Sequence, residues 1–279
     1  MDWQVIRNVD LEKLKQVRLQ LHQASQLLAA TGVSFVQNKA DDSHTNMQWL
    51  DDLKAFESSA FGSHMQLRLA INFEQLKLIL MDEDHDFSEF NLHGKTNEQA
   101  ISWYNNALKS SNFDPSKLTL KLHYEIPKTD QANGAPYDLF DPELFKEHSN
   151  HFSNANLVLQ KIASQYKGAS NVRCWPHHFD LGMLIVIEEN TDPEKMKSIG
   201  VGYSPGDDNY DEPYYYVSPW PYPHYSKLKN EELPGNGKWH ITGFVSAILT
   251  ASDFQNEKNQ QQAVMDFLEK TIKISKSMI

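Results

Sequence analysis

Cysteine is almost missing from these 279 residues, and the lone Cys174 excludes both an internal disulfide and a thiolate metal cage. Long apolar runs are missing too: the longest, "LGMLIVI", falls far short of the roughly 20 residues that cross a bilayer. The opening "MDWQVIRNVDLEKLKQ" carries charge where a secretory leader needs an apolar stretch, so a cytoplasmic chain with no membrane partner is expected. Positive charge is scarce as well. Lys and Arg number 26 against 37 Asp and Glu, a formal net charge of −11, which leaves no basic stripe for a nucleic-acid backbone. The common catalytic signatures are absent: there is no HExxH, no glycine-rich phosphate loop and no GxSxG elbow. No reaction is specified, and whether the chain is an enzyme stays open.

What is present is an ordinary globular composition, 40% hydrophobic and 23% charged. Asp10 is a good N-cap for a helix with Leu11, Leu14, Val17, Leu21, Ala24 and Leu28 on one face, which Gly32 is expected to stop. Leu67, Leu69, Ile71 and Phe73, then Leu76, Leu78 and Leu80, recur at period two and predict a hairpin across "FEQ". The acid-rich "MDEDHDFSEF" reads as a solvated turn leading to a short strand. Thr96 and Gln99 form a capping box for the next helix, and a strand is predicted over Leu118–Ile126.

A polar link near 127–136 follows, and then the pattern starts again. Asp141 and Pro142 open a helix carrying Phe145, His148, Phe152, Ala155, Leu159, Ile162 and Tyr166 up to Gly168. Strands are predicted at 178–188, 197–204, 213–218 and 239–250, and a last helix at 255–275 with Ser252 and Gln255 as its capping box. The expected architecture is α+β: mainly antiparallel sheets with helices on one side, in a single compact domain 1–279 whose halves, 1–127 and 137–279, both read helix, strands, helix.

The second half concentrates the polar and aromatic chemistry. In "HHFDLGMLIVI", period two sends His178 and Asp180 to one side, an imidazole with a carboxylate to orient it. The pair serves either acid/base work or a local polar network at the strand entrance. In "KSIGVGYSPGD", the face carrying Ser198, Gly200 and Gly202 is nearly bare. Either a ligand or a ring of the protein's own Tyr214, Tyr215, Tyr216 or Trp220 is expected to lie across it. "DDNYDE" places Asp207, Asn209 and Asp211 at positions one, three and five of a calcium loop. Glu212 at position six and Ser218 at position twelve exclude the EF-hand pattern. "EPYYYVSPWPYPHY" has prolines at 213, 219, 221 and 223, which forbid a central strand and favour an edge or polyproline-like course. His148 reads as a satisfied core histidine.

Several of these stretches resemble a family. The order "LRLAINFEQLKLILMDED", "TNEQAISWYNNAL", "LHYEIP", "HHFDLG", "GYSPGDDNYDEPYYYVSPWPYP" and "GFVSAILTASDF" is similar to a bacterial family known only as a domain of unknown function, from about residue 20 nearly to the end. Its most specific parts are Phe179, Asp180 and Leu181, and the Pro205, Gly206 turn leading to Glu212 and Pro213. Members carry a tryptophan beside that turn and an Asn-His-Trp-Trp cluster early on. Here the sequence departs from the family: Tyr203 and Ser204 stand at the first place, and near the second "SHTNMQW" offers only His44 to set against the cluster. The resemblance implies one full-length architecture and no reaction.

The expectation for function is a pocket for a polar small molecule. Ser198, Gly200 and Gly202 would floor it, Tyr203, Tyr214, Tyr216 and Trp220 would wall it, Asp208 and Glu212 would add carboxylates, and His178 and Asp180 would stand at one end as base and orienting partner. One alternative is an interaction protein that docks a partner or a second copy of itself through segment 213–225. Another is a hydrolase holding a divalent metal with His178 and Asp180 aided by His44 or His224.

Overall fold

Among the described residues the strands form two antiparallel sheets, five and six strands wide, and the architecture is α+β. The computed structural model describes residues 2–63, 65–82, 86–229 and 231–279. The centre of the acid-rich turn predicted before the third strand, Glu83 to His85, therefore lies outside the described residues. The chain divides into two compact units. One comprises Glu12–Ser149 and Cys174–Phe179, the other Met1–Leu11, Asn150–Arg173 and Asp180–Ile279.

In the first unit, helix α1 (Leu11–Phe35) buries Leu14, Val17, Leu21, Ala24 and Leu28 at steps of three and four. It does not stop at Gly32. A methyl group there would come within 2.5 Å of the His44 carbonyl oxygen, so this glycine lets a second backbone lie against a continuing helix. Strands β1 (Gln48–Leu50), β2 (Ala55–Glu57), β3 (Arg68–Asn72), β4 (Lys77–Met81) and β5 (Asp86–Asn91) form the five-stranded sheet in chain order. The β3–β4 hairpin turns over Phe73 to Leu76, and Leu69, Leu78 and Leu80 are buried as predicted. Helix α2 (Asn97–Ser110) carries the Thr96–Gln99 capping box.

The strand predicted at 118–126 does not form. Its polar groups are satisfied by side chains of α1 instead: Thr119 N–H donates to Ser34 Oγ (2.9 Å) and Tyr124 O–H to Gln26 Oε1 (2.9 Å). Leu120 remains 49% exposed, so the alternation there marks no buried face.

Helix α3 (Pro142–Ala163) follows, ending five residues before Gly168, then β6 (Arg173–Trp175). The second unit is built on β7 (Asp180–Glu188), β8 (Lys197–Ser204) and β9 (Tyr214–Trp220). After a single helical turn, α4 (Tyr225–Leu228), the predicted strand at 239–250 is two, β10 (Lys238–His240) and β11 (Ser246–Thr250). The six-stranded order is β10-β11-β9-β8-β7-β6, so β9 is an inner strand, paired on both sides, and not the edge its prolines predict. Pro213, Pro221 and Pro223 lie outside it, and Pro219 falls beyond the stretch Tyr214 to Val217 that pairs with β11, so no proline interrupts that ladder. The chain ends in α5 (Ala251–Phe254) and α6 (Gln260–Met278). The capping box belongs to Thr250 and Asp253, not to Ser252 and Gln255, and Asn259 caps the last helix.

One face of this sheet is core. Leu181, Ile185, Ile199, Val201, Tyr215, Val217, Ala247 and Leu249 are buried there, and α6 packs over β8, β9 and β11 with Val264, Phe267, Leu268 and Ile272. Phe152 of α3 meets Tyr203 edge to face at 5.2 Å. The alternate residues of the same strands are left for the opposite face.

Candidate functional site on the open sheet face

Antiparallel register turns that alternation into a grid, because residues directly opposite one another share a face. Gly182, Gly202 and Tyr216 stand in one row across β7, β8 and β9. The next row is Leu184, Gly200 and Ser218, and the one beyond is Val186, Ser198 and Trp220. Ser218 extends the middle row by donating from Oγ to Ser246 Oγ (2.8 Å), and Ser246 lies opposite His240. From Gly200 through Ser218 to Ser246 the middle row is small and polar, with Leu184 at one end, His240 at the other, and Tyr216 and Trp220 in the rows on either side.

The bare strip is half occupied. A methyl group on Gly202 would come within 2.4 Å of the Tyr216 ring and 2.7 Å of the Leu181 carbonyl oxygen. Here one of the protein's own rings lies where a ligand was the other expectation. Gly200 is different: nothing there is nearer than Ser218 Cβ at 3.7 Å. Gly200, Ser218, Tyr216 and Trp220 are each half-buried, and Ser198 is buried.

Carboxylates hold the tyrosines. Tyr216 O–H donates to Asp180 Oδ2 at 2.5 Å, and Tyr214 O–H to Asp207 Oδ2 at 2.6 Å, both in the short range of charge-assisted bonds. Burial first, then the bond to Asp207, raises the Tyr214 phenol well above its ordinary value and keeps it a donor. Asp207 Oδ1 also accepts the N–H groups of Asn209 (2.7 Å) and Tyr210 (3.0 Å), which folds the acidic turn on itself. Tyr210 O–H meets His240 Nδ1 at 3.0 Å. His240 Nε2 lies 2.7 Å from the Thr242 carbonyl, which can only accept, so the proton sits on Nε2 and Nδ1 takes the Tyr210 proton. Tyr216→Phe is expected to lower stability by about 2 kcal/mol, the usual worth of a bond to a charged group. It would appear as an earlier urea midpoint at unchanged slope, and an unmoved midpoint would show that Asp180 does not hold the ring.

Several sequence expectations need correction. Tyr203 is no wall of this face. It is fully buried on the helix side, stacked on His151 at 5.9 Å, because it falls in phase with Ile199 and Val201. Glu212 serves structure: its carboxylate accepts Ser252 N–H and Oγ–H, each at 2.8 Å, and anchors the start of α5. Asp208 is exposed in the turn, and it is the neighbouring Asp207 that organises it. His178 is not in a strand. His178 N–H and Phe179 N–H both bond the Trp175 carbonyl (3.2 and 2.7 Å), closing a turn in which Phe179 has φ +58°. Period two does not carry through a turn, so the shared-face argument for His178 and Asp180 lapses. The ring of His178 stands 4.2 Å from that of His177, centroid to centroid.

The proposed metal ligands are employed elsewhere. His44 Nδ1 accepts Lys39 N–H (3.3 Å), and His224 Nδ1 accepts Ser226 N–H (3.3 Å) as the cap of α4. Among the described residues no three of His, Cys, Asp or Glu gather as a metal would require. His148 is the satisfied core histidine expected, its Nε2 at 2.9 Å from the Leu14 carbonyl.

Sequence reasoning missed Asp207, Tyr210, Ser218, Ser246 and His240. Asp207 had a readable signal, an aspartate two residues before Asn209 in a turn. The others depend on cross-strand register, which no local pattern supplies.

No helix among the described residues is long and apolar enough to cross a membrane. No curated protein and no solved structure matches the chain. The similarity that does extend along the chain covers residues 7–278, nearly its whole length, and by it the chain belongs to a family of unknown function, DUF5996.

Proposed function

We propose that the chain binds an uncharged polar small molecule, a polyol or a hydroxylated ring, on the open face of the six-stranded sheet. The observation that carries this reading is the contrast between the two glycines: Tyr216 covers Gly202, whereas a methyl group on Gly200 would meet nothing nearer than Ser218 Cβ at 3.7 Å, beside half-buried Ser218, whose hydroxyl is bonded to that of the fully buried Ser246. Tyr216 and Trp220 stand four residues apart on β9, about 13 Å, which is room for one ring lying flat on Gly200. Aromatic flanks with hydroxyl donors and acceptors between them suit ligands that present both C–H faces and O–H edges. Asp180 acts by holding the Tyr216 ring across Gly202.

A thermal-shift screen against free sugars, polyols and nucleosides tests the reading. Ligand at about 100 times its dissociation constant adds about 2.7 kcal/mol. The variant Gly200→Val fills the middle row from a Cβ in ordinary contact with Ser218 Cβ (3.7 Å) and the Ser218 carbonyl oxygen (3.8 Å), and is expected to remove the response while the unliganded melting temperature holds. A ligand that stabilises the parent and Gly200→Val equally would place binding elsewhere.

Exposure favours a second reading, docking of a partner or another copy through segment 213–225. Tyr222 is 46% and Tyr225 55% exposed, whereas Tyr214 and Tyr215 are buried. The surface for docking thus narrows to the end of that segment. Light scattering of the parent and of Tyr222→Ser/Tyr225→Ser checks it: a dimer that the double change dissociates supports docking of like on like.

A further inference from the structure

Which groups on the open face give protons, and which take them, decides what can bind there. Half-buried Ser218 stands opposite Gly200, and the fully buried Ser246 of β11 continues the row. Among the described residues two oxygens lie within reach of the Ser246 hydroxyl: Ser218 Oγ at 2.8 Å and the Ala247 carbonyl at 3.4 Å. A carbonyl oxygen can only accept, so the Ser246 proton goes to Ala247. A lone pair of Ser246 is then left for Ser218, which donates to it across the shorter of the two distances.

A hydroxyl has a single proton and two lone pairs. With its proton committed to Ser246, Ser218 has only lone pairs to offer a ligand on Gly200. Among the described residues no other group bonds this hydroxyl, so those lone pairs are left for water or for a ligand. One row away the Tyr216 phenol has its proton committed too, to Asp180 Oδ2. A ketone or an ether laid beside Ser218 would set oxygen against oxygen with no proton between them, whereas an alcohol or an N–H group would complete a bond.

We propose, resting on the open-face reading, that Ser246 is a positioning residue: by taking the Ser218 proton it makes the face select ligands that donate a hydrogen bond beside Gly200, alcohols and N–H groups, over ligands that only accept one. Removing the Ser246 hydroxyl releases the Ser218 proton, and the same row then answers ligands of either kind.

Cyclohexanol and cyclohexanone are the probes, one ring with and without a proton to give. With the intact chain labelled with nitrogen-15, Trp220→Phe identifies the indole signal of Trp220, in the row beside Gly200, among the six tryptophans. In the parent, cyclohexanol is expected to move that signal saturably, with a dissociation constant of about 10 mM for so small a ligand. Cyclohexanone is expected to bind about tenfold more weakly, the worth of one such bond. Ser246→Ala is expected to tighten cyclohexanone about tenfold and to leave cyclohexanol unchanged, a gain that structural damage would not produce. Ser218→Ala is expected to weaken cyclohexanol to the level of cyclohexanone. Equal affinities in the parent, or a Ser246→Ala variant that weakens both probes alike, would overturn the selectivity and leave the open-face reading standing. A Trp220 signal that neither probe moves would overturn both.

Discussion

Replacing Gly202 by alanine is expected to cost about 3 kcal/mol of folding stability, and replacing Gly200, two residues away on the same strand, less than about 0.5 kcal/mol. The difference lies in what a methyl group meets. At Gly202 it would come within 2.4 Å of the Tyr216 ring and 2.7 Å of the Leu181 carbonyl oxygen. The ring can swing away only by breaking its bond to Asp180, and the carbonyl belongs to the β7 ladder and cannot move alone. At Gly200 the nearest atom stands at 3.7 Å, ordinary contact. Urea unfolding of the two variants and of Gly202→Ala/Tyr216→Ala resolves the components. The double variant should recover only part of the loss, because the clash with the backbone remains. Equal midpoints for Gly200→Ala and Gly202→Ala would mean that Tyr216 does not lie over the strip.

Acid should unfold the chain through two buried histidines. His22 is held neutral, its ionisation lowered from 6.5 to about 4 by burial above all; the Pro176 carbonyl opposes this, while Arg18, His178 and His177 reinforce it. His148 is lowered to about 4 in the same way, with the Leu14 carbonyl opposing and Arg18 reinforcing. In the unfolded chain both protonate near 6.5, so between pH 6.5 and 4 the unfolded state binds more protons. Stability is therefore full above pH 6.5 and falls as pH drops toward 4. At about 1.4 kcal/mol per pH unit, each imidazole accounts for a loss of about 3 kcal/mol by pH 4. Unfolding free energies measured across that window should decline with a slope of about two protons, and His148→Gln, which retains a donor for the Leu14 carbonyl, should bring it to about one. A flat profile between pH 6.5 and 5 would show that these rings are open to water.

The elements legible in the sequence are those whose signal is local. The Thr96–Gln99 capping box needs only four residues, the β3–β4 hairpin needs an alternation on either side of a short link, and the apolar stripe of α3 repeats over several turns. The errors fall where a partner distant in sequence decides. Gly32 reads as a helix stop and is a place of close approach to His44. Leu118–Ile126 alternates as a strand does, yet Gln26 and Ser34 satisfy its polar groups better than any ladder. His178 is an error of another kind: period two puts it in phase with β7, but a local turn closed on the Trp175 carbonyl precedes that strand.

For the site the division is the same. That Ser198, Gly200 and Gly202 form a bare face, with tyrosines and a tryptophan at hand to cover or flank it, follows from period two and composition alone. Which ring lies on which glycine does not. Pairing of Tyr216 with Gly202 and of Ser218 with Gly200 is a matter of strand register, set by contacts among segments far apart in the chain. A shift of one residue would send every one of those side chains to the other face. Sequence by itself determined the α+β class and the inventory of groups available. Only the tertiary structure decided that one glycine is spent on the protein's own tyrosine and the other left open, because side-chain proximity across a sheet is not encoded in the spacing along any single strand.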